Sequence, residues 1–376
     1  MSEIEKKFAR GGAELTLELF DKLQASTNKD NILLSPLSIQ TAMALAFAGA
    51  KGATADEIAS AMKFVSKCPK EVAESFHTVL AKYQDSALVK IANKVYVQEG
   101  NAIKPEYATV TKEKYHAAAE TVDFAKSEAA AQNINAWVEN KTAGKITDLV
   151  SADSLGPDTR LVLLNALHFK GEWQEKFDEE DTREDDFWLN EEESVQVKFM
   201  FRQSNFRYGY IREFECEALE LPYKDSDLSM FVLLPDKRDG LKDLAEKLKT
   251  VNLLDLDQKL HDADDMIVRF PKFKIEYSIE LSDVLKELGI VNAFGQTADF
   301  GSILELPQGI KISKVLHKTC IEVNEEGSEA AAATAVVAVG YCMPMQCCAN
   351  HGFFYFIWNK KDILFAGVFA NPQSLQ

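Results

Sequence analysis

The hydrophobic rhythm of the chain changes as it proceeds, and that change limits the folds open to it. Over the first third, apolar residues recur at helical spacing in "FARGGAELTLELFDKLQAS" (8–26) and "SIQTAMALAFAGA" (38–50), which follows Ser35-Pro36. "QNINAWVENKTAGKI" (132–146) reads as an amphipathic helix ending near Gly144. Strand signals alternate with these and then take over: "ALVKIANKVYVQ" (87–98), "TRLVLLNALHFKG" (159–171), "ALELPY" (218–223) and "LSMFVLLPD" (228–236). "MIVRFPKFKIEYSIE" (266–280) alternates, "YSIELSDVLKELGI" (277–290) returns to helix, and "GFFYFIWNKKDILFAG" (352–367) reads as a hairpin. Helices lead and strands follow without regular β-α-β units, which favours an α+β fold over a doubly wound sheet. No linker, repeat or composition break divides the 376 residues, so one domain over 1–376 is expected.

The charge balance narrows the function. A net charge of −17 leaves no basic surface for phosphate backbones, so no nucleic-acid partner is expected. The acidic run "DEEDTREDD" (178–186) reads as a solvated face. No apolar run reaches the ~20 residues a membrane span needs, and the first residues contain no signal-peptide core. Two settings fit: a secreted protein in its mature form, which is favoured, or a cytoplasmic one. Asn140, in the triplet Asn140-Lys141-Thr142, is the glycosylation candidate. The six cysteines are scattered and suggest neither a disulfide framework nor a zinc ribbon, and the six histidines lack metal-ligand spacing. Nucleophile elbows and H-E-x-x-H motifs are missing. No enzyme activity, cofactor or metal is therefore expected.

The run "GSEAAAATAVVAVGYCMP" (327–344) commits to neither structure, because alanines favour helix while the valines after them favour strand. It sits within a wider resemblance. "NILLSPLSIQTAMALAFAGAKGATADEI" (31–58), "LVLLNALHFKGEWQEKF" (161–177), "HKTCIEVNEEGSEAAAAT" (317–334) and "FFYFIWNKKDILFAGVFANP" (353–372) each resemble a segment of the serpin family, and they stand in the family's order. The resemblance covers essentially the whole chain. It implies a single α+β domain with three β-sheets, eight to nine α-helices and an exposed reactive loop at about 325–348. It also implies a suicide substrate: a protease cleaves the loop, forms an acyl-enzyme, and is trapped as the loop inserts into the central sheet.

Carried onto this sequence, the resemblance assigns a hinge to Glu325, Gly327, Ser328, Glu329, Ala330, Ala331, Ala332, Ala333 and Thr334. The scissile residue lies fourteen positions beyond Gly327, at Tyr341, so the reactive bond is Tyr341–Cys342. On insertion Ser328, Ala330, Ala332 and Thr334 would face inward, and the one hinge charge beyond Gly327, Glu329, would face solvent. A polar shutter cluster falls on Ser35, Ser38, Asn165 and His317, and a contact at the top of the sheet, the breach, on Trp173, Lys272 and Glu325. An aromatic residue before the scissile bond suits a deep apolar primary pocket, so chymotrypsin-like proteases, including cathepsin G-like and chymase-like enzymes, are the expected covalent targets of a monomeric inhibitor. Two alternatives keep the fold: a non-inhibitory carrier, storage protein or chaperone, and an inhibitor of papain-like cysteine proteases. No heparin-binding helix is expected, since the lysines of 63–84 are scattered among glutamates. The family's usual proline ahead of Phe353 is replaced by Gly352, which predicts a less rigid turn.

Overall fold

A computed structural model of the protein describes residues 2–26, 31–84, 86–100, 102–305, 309–326 and 344–375. The hinge residues from Gly327 to Thr334, together with Tyr341 and Cys342, lie outside the described residues. The eight α-helices among the described residues are α1 (Glu3–Ser26), α2 (Pro36–Gly49), α3 (Gly52–Ala61), α4 (Pro69–Leu80), α5 (Pro105–Tyr115), α6 (Ser127–Lys141), α7 (Leu241–Leu248) and α8 (Ser282–Glu287). The strands are β1 (Ile32–Leu34), β2 (Val89–Gln98), β3 (Ala118–Val122), β4 (Leu161–Phe169), β5 (Arg183–Trp188), β6 (Ser194–Ile211) and β7 (Cys216–Pro222), followed by β8 (Ser229–Pro235), β9 (His261–Pro271), β10 (Phe273–Glu280), β11 (Ile312–Val323), β12 (Gln346–Cys348), β13 (Phe353–Trp358) and β14 (Ile363–Phe369).

A five-stranded sheet, β10-β11-β4-β2-β3, forms the centre. Its middle pair, β11 and β4, is parallel, whereas β4 meets β2 and β11 meets β10 in antiparallel ladders. All nine residues of β4 are buried, as expected for a continuous apolar run covered on both faces. The other nine strands are joined through β6. Residues 194–199 of β6 pair with β5 and residues 199–208 with β9, and β12 extends that sheet from β9. Beyond a register shift between Ser204 and Phe206, the end of β6 pairs with β7, which leads through β8, β13 and β14 to β1. The long strand thus serves two sheets, and with the central one there are three.

Helix α2 explains how the layers join. Ser35 caps it, its hydroxyl accepting from Ser38 N–H at 3.2 Å, and Pro36 occupies the first turn, where a missing N–H costs nothing. Nearly every residue of α2 is buried, so it has no solvent face. It packs between the central sheet, at β2 and β4, and β14 of the second sheet. A separate, smaller core lies on the other face of the central sheet, where Ala130, Ile134 and Val138 of α6 meet Tyr96, Val162, Leu164 and Leu316.

The hairpin β13–β14 lies in the second sheet. His351 Nε2 lies 2.6 Å from the Pro235 carbonyl, Trp188 N–H donates to Asn350 O at 2.7 Å, and a Cβ on Gly352 would run into Leu241. The turn that lacks the family's proline is therefore fixed by a buried histidine and close packing. Gly367 lies opposite Tyr355, whose buried ring covers the glycine so closely that a Cβ there would overlap it. Gly367→Ala is expected to lower stability by about 1–3 kcal/mol, the usual cost of overpacking, measured as a lower thermal or urea midpoint; an unchanged midpoint would contradict this packing.

Candidate functional site

Strand register brings three polar residues into one row across the central sheet. His317 of β11 lies beside Asn165 of β4, and Asn165 lies beside Asn93 of β2. The start of α2 closes the row from the inner side. Asn165 donates its amide N–H groups to Ser38 Oγ and Asn93 Oδ1, and its own Oδ1 meets His317 Nδ1. The Ser35 backbone N–H donates to His317 Nε2 at 3.2 Å. That bond makes Nε2 the acceptor, so the proton sits on Nδ1 and points at Asn165. Ser38 Oγ lies 3.4 Å from Asn93 Oδ1, and Thr319 Oγ1 donates to Leu33 O at 2.9 Å. Asn165 and His317 are fully buried. Burial pushes the His317 pKa down to about 3, so the ring is neutral at physiological pH.

All four residues assigned to the shutter from sequence, Ser35, Ser38, Asn165 and His317, therefore meet. Asn93 belongs with them and was missed. Its signal was weaker than that of Asn165 within the apolar run "LVLLNAL", because β2 also carries Lys90, Lys94 and Gln98 around Asn93.

The upper end of the same strand pair carries the second cluster. β10 and β11 end in register at Phe273 and Val323, which sets Lys272 beside the residues just past β11. Lys272 Nζ lies 2.7 Å from Glu325 Oε2, and Thr182 Oγ1 donates to Glu325 Oε1 at 2.8 Å. Phe177 N–H donates to the Glu325 carbonyl at 3.1 Å. Burial alone would raise the Glu325 pKa. Lys272, its own backbone amide and the Thr182 hydroxyl outweigh that effect and hold the carboxyl below its ordinary value. Trp173 stacks on Tyr223 with centroids 4.6 Å apart, and its indole N–H donates to Asn324 O at 2.8 Å. Trp173, Lys272 and Glu325 are thus gathered where the described chain leaves β11, with Thr182 as a further partner that the sequence did not reveal.

Asn140 is exposed at the end of α6. The Thr142 hydroxyl of the same triplet is buried, donating to Val138 O at 2.8 Å and accepting from Ile146 N–H at 3.1 Å. Among the described residues, no group of three or more His, Cys, Asp or Glu side chains is arranged to hold a metal ion, and no helix is long and apolar enough to cross a membrane.

A family model described as "Serpin (serine protease inhibitor)" matches residues 10–372. Among curated proteins, human Serpin B4 is 37% identical, the match covering 99% of this chain and 99% of the relative. The bovine leukocyte elastase inhibitor is 36% identical over 98% of this chain and 100% of the relative. The solved structure of cleaved Serpin 42Da superimposes with a TM-score of 0.89 at 39% identity, covering 97% of this chain and 98% of that one.

The polar row generates a pH dependence. Unfolded His317 takes up a proton near its ordinary pKa of about 6.5, whereas the folded ring resists protonation down to about 3. The unfolded state therefore binds more protons between these values, so stability is complete above about pH 6.5 and falls by up to about 1.4 kcal/mol per pH unit below it. The melting temperature of His317→Gln is expected to depend less steeply on pH between 6.5 and 4 than that of the parent, whatever its absolute value. His168, also lowered by burial to about 4, leaves a residual slope in both proteins. Identical slopes would refute the buried neutral imidazole.

Proposed function

The chain is a member of the serpin family, and on that premise we propose that it inhibits chymotrypsin-like serine proteases as a monomeric, single-domain suicide substrate cleaved after Tyr341. The observation that carries the reading is the parallel β4–β11 pair in the middle of the central sheet. The described chain leaves β11 at its upper end, with Glu325 held by Lys272 and Thr182. A segment turning back from there and entering between the two strands runs antiparallel to both. One parallel ladder is then replaced by two antiparallel ladders, the slightly more stable arrangement. Fourteen residues from Ser328 to Tyr341 span roughly 46 Å as a strand, longer than either neighbour needs for full pairing.

The composition of that segment suits insertion. Its only charge is Glu329, which falls in the solvent-facing phase, while Ser328, Ala330, Ala332 and Thr334 take the inward phase. The polar row of His317, Asn165, Asn93, Ser35 and Ser38 spans the seam and acts as the shutter: separating β4 from β11 breaks the His317–Asn165 contact, and those groups then need new partners. Trp173 and the Lys272–Glu325 pair hold the entry point until cleavage. In this reading the protein is an inhibitor and not an enzyme, and needs no cofactor. Asn140 is exposed, as a glycan in a secreted form requires; a mobility shift on removing N-glycans from naturally produced protein checks that form.

Incubation with chymotrypsin is expected to give a covalent complex that survives SDS, with the new amino terminus at Cys342. Quantitative cleavage with recovery of active protease would sink inhibition and leave a non-inhibitory member of the family; the same gel with a papain-like enzyme tests cross-class trapping. Ser328→Arg places a charge in the inward phase and is expected to convert the inhibitor to a substrate, because an unpaired buried charge is costly. Undiminished complex formation by that variant would refute the assigned hinge.

A further inference from the structure

The outer face of the central sheet is covered in its lower part by α6, and above it no described helix lies on the sheet. There lies a cavity of about 280 Å³ between β4, β10, β11 and the loop that follows α6. Its charged lining is Lys145, Lys272, Lys274 and Glu322, three cations against one carboxylate, or +2 on a chain whose net charge is −17. Lys272 is paired with Glu325 and Lys274 with Glu276 at 2.7 Å, both partners lying outside the lining. Lys145 has no ion pair among the described residues.

The second observation is His168. It stands on β4 directly beside Cys320 of β11, lines the cavity, and is only 6% exposed. It makes no hydrogen bond to any described residue. Its ring therefore meets the solvent that fills the cavity, and an imidazole with no partner inside the protein, on the wall of a cavity with a cationic rim, can donate to an acceptor that enters from outside the chain. Burial, and next the charge of Lys145, push the His168 pKa down to about 4, with Lys170 and Lys274 adding to the effect and Glu322 opposing it. The ring is then neutral and offers one N–H.

We propose that this cavity binds a phosphate-type oxyanion, either free phosphate or a phosphomonoester. The anion accepts the His168 N–H and takes Lys145 as its counter-charge, with Lys272 and Lys274 adding to the field. A tetrahedral oxyanion suits the site because it has acceptors in several directions, so one ion can meet groups on β4, β10 and the loop after α6 together. The volume exceeds that of a bare ion, leaving room for the organic part of an ester.

The test is a titration of the intact protein, without protease, so that its outcome is independent of inhibition. The ¹⁵N-detected ring resonances of His168 are followed as phosphate is added against chloride at equal ionic strength. A saturable one-site shift with phosphate alone is expected, together with a melting temperature raised by about 3 °C when phosphate is a hundred times its Kd. Lys145→Ala, an exposed loop substitution, is expected to weaken binding at least tenfold. Glycerol phosphate in place of phosphate separates the sources: tighter binding than phosphate identifies an ester, weaker binding the free ion. A non-saturating response, an equal response to chloride, or undiminished binding by Lys145→Ala would overturn the site.

Discussion

A hydrogen-bonded row buried inside an apolar sandwich has one acceptable state, the fully paired one, and the centre of this protein is organised around such a row. His317, Asn165 and Asn93 come from three neighbouring strands, and Ser35 and Ser38 come from the turn that starts α2. Each donor finds an acceptor only if strand register, the histidine tautomer and the position of the helix start are all correct together. An unsatisfied member costs about 1–3 kcal/mol, so the row penalises register slips that apolar packing alone would tolerate. It also ties the most buried helix to the sheet it packs on, which sets the distance between the two main layers of the core.

The two faces of the same strand pair are held by different physics. On the inner face the row is polar and specific. On the outer face α6 closes a small apolar core over Val162, Leu164 and Leu316. Lys94, almost wholly buried on β2, fastens this cover: its ammonium lies 2.6 Å from Glu120 and within 4.7 Å of the ring centroids of both Tyr96 and Trp137. Asn135 of α6 and Val150 exchange two hydrogen bonds, at 2.8 and 3.0 Å, which anchor the chain beyond the helix. Above α6 no described helix covers the sheet, and there its surface carries lysines and His168.

Much of this was legible in the sequence because period and punctuation agreed. The almost wholly buried α2 after Ser35-Pro36, the run of β4 and the β13–β14 hairpin all form where their patterns indicate. The longest strand was not legible. β6 reads "SVQVKFMFRQSNFRYGYI", mixing half-buried arginines and exposed glutamines with aromatics, because its first part pairs with β5 and its last part with β7, while β9 runs beside both across a register shift at Asn205. A strand with two sets of neighbours has no single alternating face to display. The site followed the same rule. Ser35, Ser38, Asn165 and His317 sit in recognisable motifs, whereas Asn93 and Thr182 act only through register and tertiary contact with residues far away in sequence.

The geometry also orders the obstacles to a strand entering between β4 and β11. The paired region ends above at Ile321 and Phe169, and the polar row lies four residues below, at His317 and Asn165. Four strand residues cover about 13 Å. On the proposed mechanism a segment arriving from Glu325 first meets an upper stretch with no described helix over its outer face, where entry opens one short parallel ladder. The next step breaks the polar row, which is unfavourable until the incoming backbone supplies replacement partners. From about that level downward the strand runs under α6, whose apolar cluster reaches up to Ala166 and Cys320; there Val162, Leu164 and Leu316 must exchange one apolar contact for another and Lys94 must keep its carboxylate. The inserting side chains that reach the row and the α6 core have to be small and uncharged, which is the composition that Ala330 to Val339 present. The run of alanines and valines that commits to neither helix nor strand is therefore matched to the two layers it would have to pass between.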